Sequence, residues 1–216
     1  MNETNGLVHI IPGAGEKAED YQVLMAMLKD KGFEPNPISI DWSKGSFVYW
    51  VDQAKKQISQ AERSYAGFDS RLGSTTLGFS YGGVVSLFLD RTIGDGFIFC
   101  STPNVFVQED QRKLDAVTSR HAGFRTNWKD LESLKMPESW SATNLFLYGS
   151  RESEFYAKSA ETLATRMREK ELSVDNIRGG WVRHAPRLTV EVAPEAGHNV
   201  NSLEYIDKLR EFFLVE

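Results

Sequence analysis

A short strand, turn and helix unit centred on a serine constrains the fold of this chain more than any other stretch. Small and β-branched residues at 74–77 lead into the segment GFSYG at 78–82, and an apolar helical pattern follows from Val84. Glycines two positions before and after Ser80 permit a tight bend in which larger side chains would collide. The pattern predicts a turn that projects the Ser80 hydroxyl as a nucleophile. The alternative is a structural turn whose serine caps the helix.

The rest of the chain alternates short apolar runs with amphipathic stretches. Predicted strands lie at 7–11, 33–40, 74–78, 96–100, 143–149 and 188–192. Besides the helix after Ser80, apolar residues at helical spacing predict helices at 17–31, 47–65, 155–172 and 203–214. With 216 residues and 41% hydrophobic content, the chain can bury a full core. The alternation predicts one three-layer α/β domain, residues 1–216, with a mostly parallel sheet.

Residues 103–142 interrupt this alternation with a long, polar and irregular stretch that contains scattered aromatic residues. An excursion of this length inside a compact domain is usually functional or partly helical in its own right. We predict a cap or lid here, and a plain surface insertion is the alternative. A second loop, predicted at 173–186 and containing Trp181, is expected to shape the same pocket.

Charge and cysteine content narrow the classes of function. The formal net charge of −5 argues against a general nucleic-acid binder or a basic membrane-surface protein, because both need an excess of Lys and Arg. The single cysteine, Cys100, lies in an apolar run, where a buried small hydrophobic residue is expected, and no intrachain disulfide can form. The apolar run at 7–11 is too short for a signal or transmembrane segment. We therefore expect a soluble, cytoplasmic protein.

A serine hydroxyl is a poor nucleophile until a base takes its proton, and the base needs an orienting acid. Of the four histidines, His198 is the best placed as a base, because it lies in the loop between the last predicted strand and the final helix. The others lie inside the first strand, in the insertion and in a basic loop: His9, His121 and His184.

The loop after the fifth predicted strand, GSRESE at 149–154, supplies the candidate acids Glu152 and Glu154. The loop after the preceding strand, STPN at 101–104, contains no carboxylate. The structural alternative is that both glutamates complement the dipole of the following helix, which Ser150 or Ser153 would cap.

These residues resemble the α/β-hydrolase superfamily over nearly the whole chain. In that family the nucleophile, acid and histidine follow in this order on loops at the carboxyl ends of strands, and Ser80, Glu152 and His198 match it. Residues 78–83 look like the nucleophile elbow, residues 149–152 like the glycine and acid segment, and residues 197–198 like the glycine-histidine loop. Glutamate replaces the more usual aspartate, and Glu154 stays the alternative acid.

The resemblance implies an oxyanion hole formed by the backbone amides of Ala14 and Tyr81. Pro12 stands where the family commonly has a histidine, but an amide donor does not depend on that side chain. A minimal sheet of about six strands, without the amino-terminal hairpin of larger members, is also implied. The implied activity is cleavage of an ester or thioester of a small to medium acyl group, without metal or organic cofactor. An acyltransferase or another non-ester activity is the alternative on this fold.

A competing pattern lies at residues 13–18, where GAGEKA follows the first strand and matches a dinucleotide-binding fingerprint, with Asp41 at the end of the second strand. It would predict an NAD(P)-dependent oxidoreductase. Glu16, Glu19 and Asp20 argue against this prediction, because their charges would crowd the helix end where a pyrophosphate binds. A non-catalytic binding protein on the same fold is a third possibility.

Overall fold

Six parallel strands form the sheet on which the fold is built. The structure is a computed structural model that describes residues 6–44, 46–65, 74–89, 96–105, 143–178 and 188–213. Within these ranges the strands are β1 (Gly6–Ile11), β2 (Phe33–Pro37), β3 (Ser74–Phe79), β4 (Gly96–Cys100), β5 (Asn144–Gly149) and β6 (Leu188–Ala193). Their order is β2-β1-β3-β4-β5-β6, and all five neighbouring pairs are parallel. The predicted α/β class with a parallel sheet of about six strands is confirmed.

Five α-helices belong to the described part of the chain. They are α1 (Gln22–Asp30), α2 (Phe47–Ser64), α3 (Tyr81–Ser86), α4 (Glu154–Arg178) and α5 (Leu203–Phe212), and a 3₁₀ helix at Ala18–Tyr21 precedes α1. Serine side chains cap two of these helices. Ser46 accepts a hydrogen bond from the Tyr49 amide at the start of α2, and Ser202 accepts one from the Tyr205 amide at the start of α5. None of the described helices combines the length and apolar character that crossing a bilayer requires.

The helices cover both faces of the sheet and create two apolar layers. One layer contains buried residues of α2, α3 and α4 against Ile11, Phe99 and Phe146 of the sheet. The other contains buried residues of α1 and α5 against alternating strand residues such as Ile10 and Ile98. Because successive side chains of a strand point to opposite faces, strands covered on both faces read as continuous apolar runs.

Two element boundaries differ from the predicted ones for identifiable reasons. β2 ends at Pro37 instead of residue 40, and it pairs only with β1 at the sheet edge, where proline is tolerated because no partner needs its missing N–H. α4 continues to Arg178, so the loop predicted from residue 173 is wrong over 173–178. Residues 154–178 contain neither glycine nor proline, and the first helix breakers are the glycines at 179 and 180. Residues 106–142 of the predicted lid, and residues 179–187, lie outside the described residues.

Candidate active site

The carboxyl ends of four strands converge on one edge of the sheet. Ser80 directly follows β3, Glu152 lies in the loop after β5, His198 in the loop after β6 and Ala14 in the loop after β1. In a parallel sheet the carboxyl ends of all strands lie at the same edge, which is where open α/β proteins bind their ligands. The topology therefore places the predicted site residues along one edge.

Ser80 adopts a backbone conformation that residues with side chains rarely use. Its φ is 51° and its ψ is −117°, at the junction between β3 and α3. Such a conformation costs about 1–3 kcal/mol and persists only where the surroundings enforce it. The Ser80 amide donates a 2.8 Å hydrogen bond to the Cys100 carbonyl, and the Gly83 amide donates one to the Ser80 carbonyl. The Ser80 side chain makes no cap hydrogen bond, so the alternative of a helix-capping serine has no support.

Close approach of the backbone explains the two glycines that flank this turn. A β-carbon at Gly78 would lie 2.5 Å from the Gly82 carbonyl oxygen, and one at Gly82 would overlap the carbonyl oxygens of Ile11 and Pro12. Neither overlap can be relieved by moving the end of a flexible side chain, because both involve backbone. The serine turn therefore packs directly against the start of the loop that carries Ala14.

Glu152 is the carboxylate that contacts the histidine. Its Oε1 lies 2.7 Å from Nδ1 of His198, and its side chain is fully buried. Glu154, by contrast, has a side chain that is 78% exposed and lies 2.8 Å from the Lys158 ammonium on the next turn of α4. The structure thus brings Glu152 to His198 and leaves Glu154 at the surface.

Three further donors surround the Glu152 carboxylate. The Ser101 hydroxyl lies 2.7 Å from Oε1 and 2.9 Å from Oε2, and the Gly149 amide donates to Oε2 at 3.0 Å. The Tyr205 hydroxyl lies 3.4 Å from Oε2 and also contacts Ser101 closely. Burial, reinforced by the charge of Glu152, raises the pKa of Tyr205, so this phenol keeps its proton. A buried carboxylate needs such donors because it has lost its hydration.

Aromatic rings hold the His198 imidazole. The centroid of the Phe79 ring lies 4.7 Å from that of His198 at an interplanar angle of 41°, and the Tyr156 ring lies at 4.7 Å and 29°. Burial, followed by the negative charge of Glu152, raises the pKa of Tyr156 to about 12, so this phenol keeps its proton. With Nδ1 directed at Glu152, Nε2 is the ring nitrogen that can accept a proton.

Hydrogen bonds fasten the acid loop to the histidine loop. The Ser150 amide donates to the Ala193 carbonyl at 3.0 Å, and the Arg151 amide donates to the Ala196 carbonyl at 2.9 Å. In the other direction, the Glu195 amide donates to Ser150 Oγ at 2.7 Å, and the Glu195 carboxylate pairs with the Arg151 guanidinium. The two loops therefore form one connected unit, which fixes the separation of Glu152 and His198.

The loop after β1 is held by a half-buried carboxylate and a buried phenol. The Gly13 amide lies 2.8 Å from Glu16 Oε2 and 2.9 Å from the Tyr21 hydroxyl, which itself donates to Glu16. Burial, followed by the charge of Glu16, raises the pKa of Tyr21 and keeps that donor protonated. The next amide of the loop belongs to Ala14. It donates to no acceptor among the described residues, so it is available to bind a ligand. Tyr81, the other predicted donor, is the buried first residue of α3.

Sequence reasoning missed Ser101, Tyr156 and Tyr205. Ser101 follows β4 directly and, like Ser80, has a positive φ, of 47°. A polar residue at a strand end is a usable signal, although Ser101 carries a hydroxyl and not the carboxylate that a catalytic acid requires. Tyr156 and Tyr205 fit the apolar patterns of α4 and α5, and nothing in the sequence distinguishes them from ordinary core residues.

The remaining histidines and the cysteine do not reach the site in the described part of the chain. His9 is fully buried in β1, where its Nδ1 lies 2.9 Å from Asn36 Nδ2 and its Nε2 lies 3.5 Å from Glu62 Oε1. Cys100 is buried, as predicted, and burial raises the pKa of its thiol. His121 and His184 lie outside the described residues. No group of three or more His, Cys, Asp or Glu among the described residues could hold a metal ion.

Comparisons with known proteins identify the fold. No protein-family model and no curated protein sequence matches the chain. Among solved structures, Est1E from Butyrivibrio proteoclasticus aligns with a TM-score of 0.64 at 10% identity, over 98% of this chain and 88% of that chain. A truncated carbohydrate esterase from gut microbiota aligns with a TM-score of 0.63 at 14% identity, over 99% and 86%. The chain has the α/β-hydrolase fold.

A third α/β-hydrolase structure agrees with this assignment. A soluble variant of monoglyceride lipase from Saccharomyces cerevisiae, in complex with a substrate analogue, aligns with a TM-score of 0.62 at 11% identity, over 99% of this chain and 87% of that chain. At identities of 10% to 14%, these similarities concern the fold, because one fold hosts many activities.

Proposed function

We propose that this protein is a serine hydrolase that cleaves a carboxylic ester or thioester of a small to medium acyl group through an acyl-enzyme on Ser80. The observation that carries the proposal is the 2.7 Å contact between the buried Glu152 carboxylate and His198 Nδ1, beside a serine at a strained strand-to-helix turn. A nucleophile, a base and an orienting acid are what acyl transfer to a serine requires.

Each group has a defined role in the proposed reaction. Ser80 Oγ attacks the carbonyl carbon while His198 Nε2 takes its proton, and Glu152 holds the imidazole tautomer and stabilises the imidazolium. The amides of Ala14 and Tyr81 bind the oxyanion, and one such donor is worth about 2.7–4 kcal/mol in the transition state. His198 then protonates the leaving group, and water attacks the acyl-enzyme by the reverse sequence of steps. The chemistry uses no metal or organic cofactor.

The structural neighbours favour ester hydrolysis among the activities of the fold. These neighbours include a carbohydrate esterase, an esterase and a monoglyceride lipase. We therefore expect small-molecule esters as substrates. Transfer of the acyl group to an acceptor other than water is the alternative, since it uses the same acyl-enzyme.

The dinucleotide-binding alternative has less support. A pyrophosphate would need the backbone amides of the loop after β1, but the Gly13 amide already donates to Glu16 and Tyr21. The Glu16 carboxylate would also repel a second anion at this position. A 3₁₀ helix, rather than an α-helix, directly follows the loop. A non-catalytic binding protein would not need a histidine aligned by a buried carboxylate.

Hydrolysis of p-nitrophenyl butyrate by a Ser80→Ala variant tests the proposal. The variant should remain folded and lose more than about 10³-fold of the wild-type rate, because the covalent step needs the hydroxyl. Ser64→Ala, at the exposed end of α2, is the matched control and should keep the wild-type rate. Wild-type activity in Ser80→Ala would overturn the assignment of the nucleophile.

A further inference from the structure

The end of β4 lies between the strand that carries the proposed nucleophile and the strand that carries the proposed acid. In the sheet order, β4 is flanked by β3, which precedes Ser80, and by β5, which precedes Glu152. The Cys100 carbonyl accepts a 2.8 Å hydrogen bond from the Ser80 amide. The next residue, Ser101, has its hydroxyl 2.7 Å and 2.9 Å from the two carboxylate oxygens of Glu152. Two consecutive residues therefore contact the nucleophile and the acid.

Ser101 has a backbone conformation that favours glycine. Its φ is 47°, and its amide donates a 2.8 Å hydrogen bond to the Leu147 carbonyl of β5. Such a conformation is strained in any residue with a β-carbon, and a glycine would relieve the strain. Contact with solvent does not explain the polar side chain, because Ser101 is fully buried. A buried serine at a strained position indicates that its hydroxyl has a function.

The direction of the hydrogen bonds around Ser101 follows from the chemistry of its neighbours. An ionised carboxylate can only accept, so the single hydroxyl proton of Ser101 is donated to Glu152. The Tyr205 hydroxyl is in close contact with Ser101 Oγ and therefore donates to it. Burial, followed by the charge of Glu152, raises the pKa of Tyr205, so the phenol has a proton to donate. The two hydroxyls form a chain in one direction, from α5 through the end of β4 to the acid.

The Glu152 carboxylate depends on these contacts for its orientation. A glutamate side chain has one more rotatable bond than aspartate, so more contacts are needed to hold it in one conformation. Oε2 accepts a hydrogen bond from the Gly149 amide at 3.0 Å, and Oε1 lies 2.7 Å from His198 Nδ1. Among the described residues, loss of the Ser101 hydroxyl would leave Oε1 with His198 as its hydrogen-bond partner, which is the ring that the carboxylate must orient.

We propose that Ser101 and Tyr205 are positioning residues for the acid: Tyr205 orients the Ser101 hydroxyl, and Ser101 holds the Glu152 carboxylate towards His198. The inference rests on the proposed serine hydrolase function and adds two residues to it. Both side chains are fully buried, so they act on the reaction through Glu152 and not through contact with the substrate.

The step at which this orientation matters is the proton transfer from Ser80 to His198. The imidazole becomes positively charged in this step, and Glu152 stabilises the charge only while its carboxylate faces Nδ1. A misoriented carboxylate therefore weakens an interaction that is made in the transition state. Binding of an uncharged ester does not depend on it, so loss of either hydroxyl should lower kcat and leave KM unchanged.

Ser101→Ala tests the inference with p-nitrophenyl butyrate as substrate. The variant should lower kcat about 10- to 100-fold, as for a lost hydrogen bond to a charged group, with KM within about twofold of the wild-type value. Ser74→Ala is the matched control and should keep the wild-type kcat. Ser74 is also buried, and its hydroxyl also donates to a glutamate, Glu62 at 2.9 Å, but it begins β3 at the end remote from the site. An unchanged kcat in Ser101→Ala, or a change in KM alone, would overturn the inference.

The same substitution in a Glu152→Ala background separates a positioning role from a structural one. Without the carboxylate Ser101 has nothing to orient, so adding Ser101→Ala should change the residual kcat by less than about twofold. A residue that only supports the turn after β4 would lower kcat by the same factor in both backgrounds, and that result would refute the positioning role. Both rates are measured after spontaneous hydrolysis of the ester has been subtracted.

Tyr205→Phe keeps the inference testable if Ser101→Ala does not fold, because it removes the hydroxyl and keeps the ring that packs against Phe79. It should lower kcat about three- to tenfold when Glu152 is present, as for a hydrogen bond between neutral groups, and have no effect in the Glu152→Ala background. Equal losses in both backgrounds, or no loss in either, would contradict the proposed chain of hydroxyls.

The same measurements distinguish failure of this inference from failure of the proposed function. Wild-type kcat in Ser80→Ala or in Glu152→Ala would refute the serine hydrolase mechanism, and the positioning role with it. Loss of activity in both of these variants together with full activity in Ser101→Ala and Tyr205→Phe would refute the positioning role alone.

Discussion

Glu152 and Glu154 are two residues apart, yet their surroundings are opposite. Glu152 is fully buried and accepts hydrogen bonds from Ser101, Gly149 and His198, whereas Glu154 is largely exposed and pairs with Lys158. A buried carboxylate with several hydrogen-bond donors has a fixed orientation. A surface ion pair contributes little to the stability of the fold. The roles of the two side chains should separate cleanly by mutation.

Glu152→Gln should lower kcat by about 10³-fold or more, because an amide cannot hold the imidazole in the required tautomer or stabilise its positive charge. Glu154→Gln is the matched control and should stay within about twofold of the wild-type rate, since its contacts are solvent-exposed. Steady-state kinetics with p-nitrophenyl butyrate measures both. Equal rates in the two variants would contradict the assignment of the acid.

At the scale of elements, the loop after β1 depends on Glu16 and Tyr21. Both side chains accept a hydrogen bond from the Gly13 amide. On its other side, the loop packs closely against Gly82, which approaches the carbonyl groups of Ile11 and Pro12. The position of the Ala14 amide is therefore set by contacts that involve no substrate. Loss of one of them should affect the transition state more than substrate binding.

Glu16→Ala should lower kcat about 10-fold with KM within about twofold, because a misplaced amide weakens the oxyanion hole only when negative charge develops. Glu19→Ala, an exposed acidic residue in the adjacent 3₁₀ helix, is the control and should leave both constants unchanged. A rise in KM at constant kcat would contradict this role, since it would mean that Glu16 affects substrate binding alone.

The helices and strands with strong local patterns could be predicted from the sequence, but the residues at which they end could not always be predicted. The buried strands read as apolar runs because helices cover both faces of the sheet. The end of α4 at Arg178 was predicted six residues too early, although the glycines at 179 and 180 are the first true helix breakers. The choice between Glu152 and Glu154 depends on contacts across 46 residues with His198, which local patterns do not contain.

At the scale of the whole molecule, clusters of hydrogen-bonded polar residues occupy two separate regions of the sheet. The cluster of Glu152, Ser101 and His198 lies at the carboxyl ends of the strands. A second cluster lies nearer the amino ends of the strands. There Glu62 of α2 contacts His9 and accepts a hydrogen bond from Ser74 Oγ at 2.9 Å. The first cluster surrounds the proposed nucleophile, and the second is expected to contribute to stability alone.

Glu62→Gln should lower the free energy of unfolding at pH 7 by about 1 kcal/mol, as for a hydrogen bond to a partly buried group, and leave kcat unchanged. His9, followed by Ser74, lowers the pKa of Glu62, with desolvation opposing them. A lowered pKa means that this stabilisation is present above the unfolded value of about 4.3 and is lost as the pH falls through the folded pKa. Chemical denaturation at pH 7 and pH 3 should therefore give a larger difference between variant and wild type at pH 7 than at pH 3. A difference of equal size at both values would contradict this account.

Covalent labelling with a fluorophosphonate tests the central claim most directly, because the reagent reacts much faster with a serine that a neighbouring base activates than with other serines. Mass spectrometry of the digested protein should locate a single adduct on Ser80, and His198→Ala should slow its formation by orders of magnitude. An intact protein without an adduct, or an adduct on another serine while ester cleavage is blocked, would contradict the assignment of Ser80 as the nucleophile.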